Sequence, residues 1–312
     1  MVAGDLQVSG AETRQRVYPA EFEYFAPLTL DEALRLLDRY GPEAKVLAGG
    51  QSLLPMMKLR IASPRYLIDI NRVEGLGRLH CENDRLVVGA LCRHADIGTS
   101  GVVRDRLPIL SDAAALIADV QVRNRGTVAG SVAHADPAGD WPAALMTLDT
   151  EVMLTGLNGV RSLPLDAFIV DAYTTSLEGA EIVSGLSISM PRKPAGGAYV
   201  KFEKRAGDFA VASIGVQLEL DGERCENIAV SLGALGARPI RARTAEQLLG
   251  GKVPAVEVLR DAERLVCEAA QPFDDTRGSV EYKRHLAGVL FRRAFDVAVE
   301  RARGVERDTL HM

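Results

Sequence analysis

The pattern of apolar residues predicts an α+β fold: two lobes over the first two thirds of the chain, then an antiparallel sheet covered by helices. Three observations carry this. A short apolar run ending at Leu47 breaks at Gly49-Gly50 into a helix-like stretch; from Leu79 the apolar period drops to that of strands; and after Gly196 three strand-like runs precede two long amphipathic stretches. The chain's 312 residues are enough to bury a sizeable core and to divide into two or three domains.

Thr29 and Glu32 form a capping box, Leu30, Ala33, Leu34 and Leu37 share one helical face, and Gly41 closes that helix. Short strands follow at Lys45–Leu47 and Tyr66–Ile70, on either side of the first glycine turn, where Ser52 reads as a helix N-cap and Pro55 as a first-turn residue. Leu79 to Cys92 reads as a hairpin over Asn83-Asp84, and Ala113 to Val120 as a helix. Pro142 marks a helix running to about Leu148, Glu151 to Leu165 a hairpin over Leu157-Asn158-Gly159, and Glu181 to Ile188 a strand. Beyond Gly196, strands over 198–205, 210–220 and 227–235 are joined at Gly207-Asp208 and Asp221-Gly222. Thr244 and Gln247 box a short helix, and longer helices cover 255–270 and 282–303. The resulting division is an extension at 1–16, a first lobe at 17–75, a second lobe at 76–193, a C-terminal domain at 194–304 and a tail at 305–312.

Composition narrows the function. The net charge is −5 with both signs interspersed, so no basic face recommends nucleic acid or an anionic membrane. Cys81, Cys92, Cys225 and Cys267 are scattered and form no C-x-x-C pair, so an iron–sulfur cluster is not expected on this chain. No apolar run approaches the roughly 20 residues that span a bilayer, and no signal peptide is evident at the start, which predicts a cytoplasmic protein.

Two small-residue turns carry the chemistry. In KVLAGGQSLL, Gly49 and Gly50 let the backbone turn sharply and let a ligand approach the peptide N–H groups, an arrangement suited to a phosphate. GTVAGS at Gly126–Ser131 is a second such turn, and the pair suits one diphosphate. Taken alone, a glycine pair between strand and helix is also an ordinary turn. Asp69 falls where a ribose-binding acid of a dinucleotide fold would sit, but no G-x-G-x-x-G or G-x-x-x-x-G-K-[ST] accompanies it, Gly251-Lys252 being followed by Val253.

AGGQSLLPMMKLR (Ala48 to Arg60), TVAGSVAHADPAGD (Thr127 to Asp140) and KFEKRAGDFAVAS (Lys201 to Ser213) together resemble the FAD-binding medium subunits of molybdenum hydroxylases, the group of aerobic carbon monoxide dehydrogenase and of the FAD segment of xanthine dehydrogenase. The likeness covers about residues 17 to 303. It implies a two-lobed PCMH-type FAD-binding domain and a C-terminal domain like that of carbon monoxide dehydrogenase flavoproteins. It also implies non-covalent FAD, held by Ala48, Gly49, Gly50, Gln51 and Ser52 and by Thr127, Val128, Ala129, Gly130 and Ser131. Asp140 matches an acid that contacts FAD, although Asp140-Trp141-Pro142 is also a good helix start with Asp140 as its N-cap. Leu177 matches a backbone contact, Lys201 a lysine near the flavin, and Phe209 an aromatic that packs near the isoalloxazine. Without the resemblance, Lys201 reads as a solvated strand lysine and Phe209 as core. The second loop departs from the usual T-I-G-G-N: Ala129 replaces a glycine and Ser131 an asparagine, and a positive φ at Ala129 would be strained. His134 reads as structural, and neither a catalytic side chain nor a metal ligand is expected; His80, His94, His285 and His311 offer still less.

The resemblance implies an electron-transfer role. A large partner would oxidise substrate at a molybdenum–pterin, a small partner would carry [2Fe-2S] centres, and the flavin here would pass electrons to a quinone, NAD or oxygen. Carbon monoxide, aldehydes, purines and N-heterocycles are the implied substrates, a dimer of heterotrimers the implied assembly, and the inner-membrane surface a place the complex would reach. Two rivals stand beside it. A free-standing FAD oxidase is opposed by Gln51, where many such oxidases tether flavin through histidine or cysteine, and by the short C-terminal domain; an assembly protein without flavin has Ala129 as its sequence support.

Overall fold

The computed structural model describes residues 19–191 and 194–309. The expected extension at 1–16, the end of the tail at 310–312 with His311, and the expected domain junction at 193/194 lie wholly or partly outside them.

The first lobe is a three-stranded parallel sheet. β1 (Glu23–Phe25) is followed by α1 (Leu30–Tyr40), β2 (Ala44–Leu47), α2 (Leu53–Lys58) and β3 (Tyr66–Asp69), and the strand order is β1-β3-β2. Thr29 Oγ1 accepts from the Glu32 N–H while the Glu32 carboxylate accepts from the Thr29 N–H, so the capping box starts α1 as expected. Ala33, Leu34 and Leu37 are buried, and Gly41 ends the helix with φ +51°. Phe25, Tyr40 and Tyr66 stack beneath it, the last two 3.8 Å apart at their ring centroids.

The second lobe opens with the hairpin of β4 (Leu79–Glu82) and β5 (Arg85–Gly89), turning on Asn83 at φ +53°. A helical run follows: α3 (His94–Thr99), α4 (Gly101–Arg106), α5 (Pro108–Leu116), α6 (Val120–Arg123), α7 (Val128–His134) and α8 (Asp140–Met146). Then come β6 (Thr150–Gly156), β7 (Gly159–Pro164), α9 (Leu165–Phe168), the short pair β8 (Ile169–Asp171) and β9 (Thr174–Thr175), and β10 (Glu181–Ser189). The antiparallel order β4-β5-β10-β6-β7 places β10, which follows the helical run in sequence, at the centre of the sheet. The helix expected at Ala113 to Val120 is displaced toward the N-terminus. Pro108 starts it at a position that needs no N–H, and Ala118, at φ +40°, follows its end, where Arg123 binds the Ile117 and Ala118 carbonyls at 2.7 and 3.1 Å.

In the C-terminal region β11 (Ala195–Phe202), β12 (Ala212–Asp221), β13 (Arg224–Gly233) and β14 (Ile240–Arg241) form an antiparallel sheet, followed by α10 (Arg243–Leu249), α11 (Val256–Ala269) and α12 (Val280–Ala302). α12 packs across β11 and β12, which bury alternate and, in places, successive apolar residues beneath it. The box expected from Thr244 and Gln247 does not form. Thr244 lies inside the first turn of α10, and Glu246 instead accepts from the Val230 N–H at 2.8 Å and from Arg241 Nε at 2.6 Å, tying helix to sheet. Among the described residues no helix is long and apolar enough to cross a membrane.

Candidate cofactor site

The first glycine turn leaves β2 and enters α2. Gly50 has φ +75°, which an L side chain rarely adopts, and Gly49 meets the second turn directly: a Cβ there would lie 2.5 Å from the Arg125 carbonyl oxygen and 2.7 Å from Gly126 Cα. Backbone against backbone, the two turns sit side by side. Among the described residues the N–H groups of Gly49, Gly50, Gln51, Ser52 and Leu53 find no acceptor, and the series resumes with Leu54 donating to the Gly50 carbonyl at 3.2 Å. A row of five unused donors, within reach of a second small-residue turn, has the chemistry of a diphosphate cradle and fits that part of FAD. Ser52 occupies the N-cap position without acting as a cap, because at φ −106°, ψ −52° its hydroxyl makes no bond to the first turn.

The second turn is built differently. Thr127 caps α7, its Oγ1 accepting from the Gly130 N–H at 3.0 Å, and the Val128 N–H donates to the Cys92 carbonyl at 3.1 Å. Ala129 is a buried helical residue with ordinary negative φ, so the extra methyl strains nothing. The glycine that must stay small is the next one, because a Cβ on Gly130 would lie 2.5 Å from Thr127 Oγ1. Ser131 is half-buried one turn further along.

Two residues that sequence reasoning passed over hold the turns together. Arg93 donates to the Arg125 carbonyl and to Asn71 Oδ1, both at 2.5 Å, and Asn71 Nδ2 in turn donates to the Ala48 carbonyl at 2.7 Å. One guanidinium thus links the carbonyl before the first glycine pair to the carbonyl before the second. No motif marks it. Asp69, the candidate ribose acid, accepts from the Asn71 N–H, Asn71 Nδ2 and the Tyr24 hydroxyl, so it orients this clamp. His94, set aside with the other histidines in the sequence, is buried and accepts from Trp141 Nε1–H through Nδ1 at 2.8 Å; burial, with Arg93 and Arg123 nearby, lowers its pKa to about 4 and keeps it neutral.

Asp140 is the first residue of α8 and not its cap, a position held by Gly139. Its buried carboxylate accepts from the Tyr199 hydroxyl at 2.9 Å and pairs with Lys201 Nζ at 3.3 Å. Burial pushes the Asp140 pKa up to about 6, against the pull of Lys201 and the Tyr199 hydrogen bond. Lys201 is not solvated: its side chain is 0% exposed, and its ammonium also meets the Glu203 carboxylate at 2.9 Å and the Leu116 and Asp208 carbonyls at 2.7 and 3.1 Å. Tyr199 and Lys201 share one face of β11 because strand side chains alternate, and that spacing was the available signal for a common partner.

At the far end of α7, His134 meets the Tyr173 ring at a tilt of 55°, 5.2 Å between ring centroids, and burial lowers its pKa. Phe209 is not core; it is 49% exposed, with the Arg277 guanidinium 5.9 Å from its ring centroid. Leu177 is half-buried against the second lobe's core. The seven residues of α7 span roughly 10 Å, at about 1.5 Å per residue, between the paired turns and the His134–Tyr173 ring pair. Phosphate-type donors at one end and exposed aromatic rings at the other match an elongated ligand with a charged middle and a flat head.

Comparison with known proteins bears on this arrangement. Residues 20–193 match the FAD binding domain in molybdopterin dehydrogenase, and residues 197–298 the CO dehydrogenase flavoprotein C-terminal domain. The chain is 40% identical to the carbon monoxide dehydrogenase medium chain of Hydrogenophaga pseudoflava, over 90% of this chain and 98% of that one. The solved structure of that organism's carbon monoxide dehydrogenase, in a form lacking the Mo-pyranopterin moiety of its cofactor, superposes with a TM-score of 0.89 over 91% of this chain and 99% of the other. Quinoline 2-oxidoreductase from Pseudomonas putida 86 superposes with a TM-score of 0.85 at 32% identity, over 92% and 98% of the two chains. The chain therefore belongs to the family of FAD-binding subunits of molybdopterin dehydrogenases, and is an oxidoreductase subunit whose cofactor is FAD.

Proposed function

We propose that this chain is the flavin-carrying electron-transfer subunit of a three-subunit molybdenum hydroxylase, working beside a large molybdenum–pterin subunit and a small [2Fe-2S] subunit in a dimer of heterotrimers. The observation that carries the reading is the open row of N–H donors at Gly49–Leu53 set against the Thr127-capped turn, in a chain whose family binds FAD. Flavin takes electrons singly or in pairs, so a bound FAD joins one-electron iron–sulfur centres to a two-electron acceptor such as a quinone, NAD or oxygen.

The chain's own residues have separable tasks. The N–H groups of Gly49 to Leu53 bind the diphosphate, with Ala48, Gln51 and Ser52 as its near wall; Thr127, Val128, Ala129, Gly130 and Ser131 present the second wall. Arg93 and Asn71 fix the separation of the two walls. Phe209 and Leu177 face the flat head of the cofactor, while Asp140 and Lys201 lock β11 to α8 behind it. Scattered free cysteines agree with clusters carried by another polypeptide. The large subunit would meet the oxidised molecule, so substrate choice resides there.

Isolation of the untagged chain from its native host, with an absorption spectrum and metal analysis of what co-purifies, tests the proposal. Flavin bands together with iron, molybdenum and two further polypeptides are expected. A lone yellow polypeptide that turns over substrate and oxygen without metal would overturn the reading in favour of a free-standing oxidase.

A further inference from the structure

Taking up two electrons and one proton leaves the isoalloxazine with one negative charge around N1 and the C2 carbonyl, and a nearby cation raises its tendency to be reduced. Lys201 is the residue that the family resemblance assigns to this position. Its ammonium has three N–H groups for four oxygens, two of them from the carboxylates of Asp140 and Glu203, and no exposed surface. A buried carboxylate, Asp140, and a part-buried one, Glu203, offset its charge.

A second cation is placed otherwise. Arg277 lies on the turn before α12, half-buried, with its guanidinium over the half-exposed ring of Phe209 at 5.9 Å. Of the neighbouring acids, Asp275 pairs through Oδ2 with Lys283 Nζ at 2.8 Å while its Oδ1 accepts from the Arg277 and Gly278 N–H groups, and Asp274 accepts from the Val280 N–H at 2.7 Å. The Arg277 side chain has no hydrogen bond or ion pair among the described residues. Lys204 Nζ donates to the Thr276 carbonyl at 2.6 Å and so ties this turn to the loop that carries Phe209. Arg277 also acts electrostatically on Tyr173, the ring that closes the far end of α7.

We infer that Arg277, and not Lys201, is the cation that stabilises the reduced flavin, acting from beside Phe209, where no ion pair among the described residues holds it. The inference rests on the flavin role proposed above. A guanidinium beside an aromatic ring with no ion-pair partner among the described residues is free to face an anion, whereas Lys201 would first have to leave two carboxylates.

The test is a reductive titration with dithionite and mediator dyes, read at the flavin absorption band, on the complex isolated from its host. Arg277→Met is expected to bind FAD with an unchanged oxidised spectrum and to lower the flavin midpoint potential by at least about 30 mV, a tenfold loss for a two-electron couple. Arg277→Lys should restore the wild-type value. An unchanged potential in Arg277→Met would overturn the inference, and would do so whether or not a Lys201 variant folds. A wild-type complex carrying iron and molybdenum but no flavin would instead overturn the cofactor reading itself, and the assignment of Arg277 with it.

Discussion

The two ends of the cofactor site satisfy their polar groups in opposite ways. At the paired turns, five consecutive N–H donors are left open; around Asp140, Tyr199 and Lys201, every charge has a partner inside the chain. Open donors are groups the fold sets aside for a ligand, and closed ones are groups the fold needs for itself. Under the proposed function, the comparison would separate residues that touch FAD from residues that hold the surface beneath it, a distinction that resemblance by position does not make.

The closed end offers the largest test. Lys201→Met leaves the buried Asp140 and part-buried Glu203 carboxylates without their cation and should cost about 3–5 kcal/mol of folding stability. Chemical denaturation of the variant chain measures it. A loss of FAD affinity with stability intact would place Lys201 on the ligand side and break the comparison.

Titration sharpens the same contrast. The Asp140 carboxyl moves from 3.8 to about 6 on folding, so between those values the native chain holds a proton that the unfolded chain has released. Stability then falls as pH rises through that window, by about 3 kcal/mol at one unit per 1.36 kcal/mol. His94 moves from 6.5 to about 4, the unfolded chain holds the extra proton, and its contribution rises with pH by a similar amount. The two oppose one another over pH 4 to 6. Asp140→Asn should therefore steepen the loss of stability in acid, and His94→Gln should flatten it, both read from urea midpoints across that range. Parallel profiles for the two variants would contradict the assignment of either group.

Legibility in the sequence followed the same division. Glycines announce themselves, because turns with positive φ and close backbone approach leave few other choices; Gly49, Gly50 and the Thr127 turn were readable at once, as were α1 with its capping box and the strands around Asn83 and Leu157-Asn158. The closed groups were not. Lys201 looks like a surface residue until the fold brings Asp140 and Glu203 to it, and Arg93 carries no local pattern because its partners, Asn71 and Arg125, are 22 and 32 residues away. Phe209 differs in the other direction: its apolar character alone reads as core, but it is 49% exposed on the loop between β11 and β12, which leaves open the ligand contact that the resemblance implies. Thr244 and Gln247 had the spacing of a capping box, but α10 begins two residues earlier, with Ala242 at its N-cap position directly after β14.

At the open end, Gly49→Ala drives a methyl against the Arg125 carbonyl and Gly126 Cα, and neither backbone atom can swing aside. The turns must part. A stability cost of about 1–3 kcal/mol is expected from overpacking alone, with a larger proportional effect, on the order of 100-fold, on FAD affinity. Equilibrium titration of the apo chain with FAD, followed by quenching of flavin fluorescence, reads the second quantity. Wild-type affinity in this variant would mean that the two turns do not share a ligand.

The smallest effect is expected at Ala129, and it decides whether the departure from T-I-G-G-N matters. In the fold its methyl is buried in α7 with helical backbone, facing the core and not the open donors, so Ala129→Gly removes a packed group and loosens a helix without enlarging the cradle. Stability should fall by about 0.5–1 kcal/mol while FAD affinity stays within roughly twofold of wild type. A tenfold gain in affinity would show that the methyl had been narrowing the ligand's path. In that event the second turn would belong with the first as a contact surface, and Thr127's capping bond would be a feature the ligand displaces. An unchanged affinity with a small stability loss leaves the second turn as the rigid wall against which the first presents its donors.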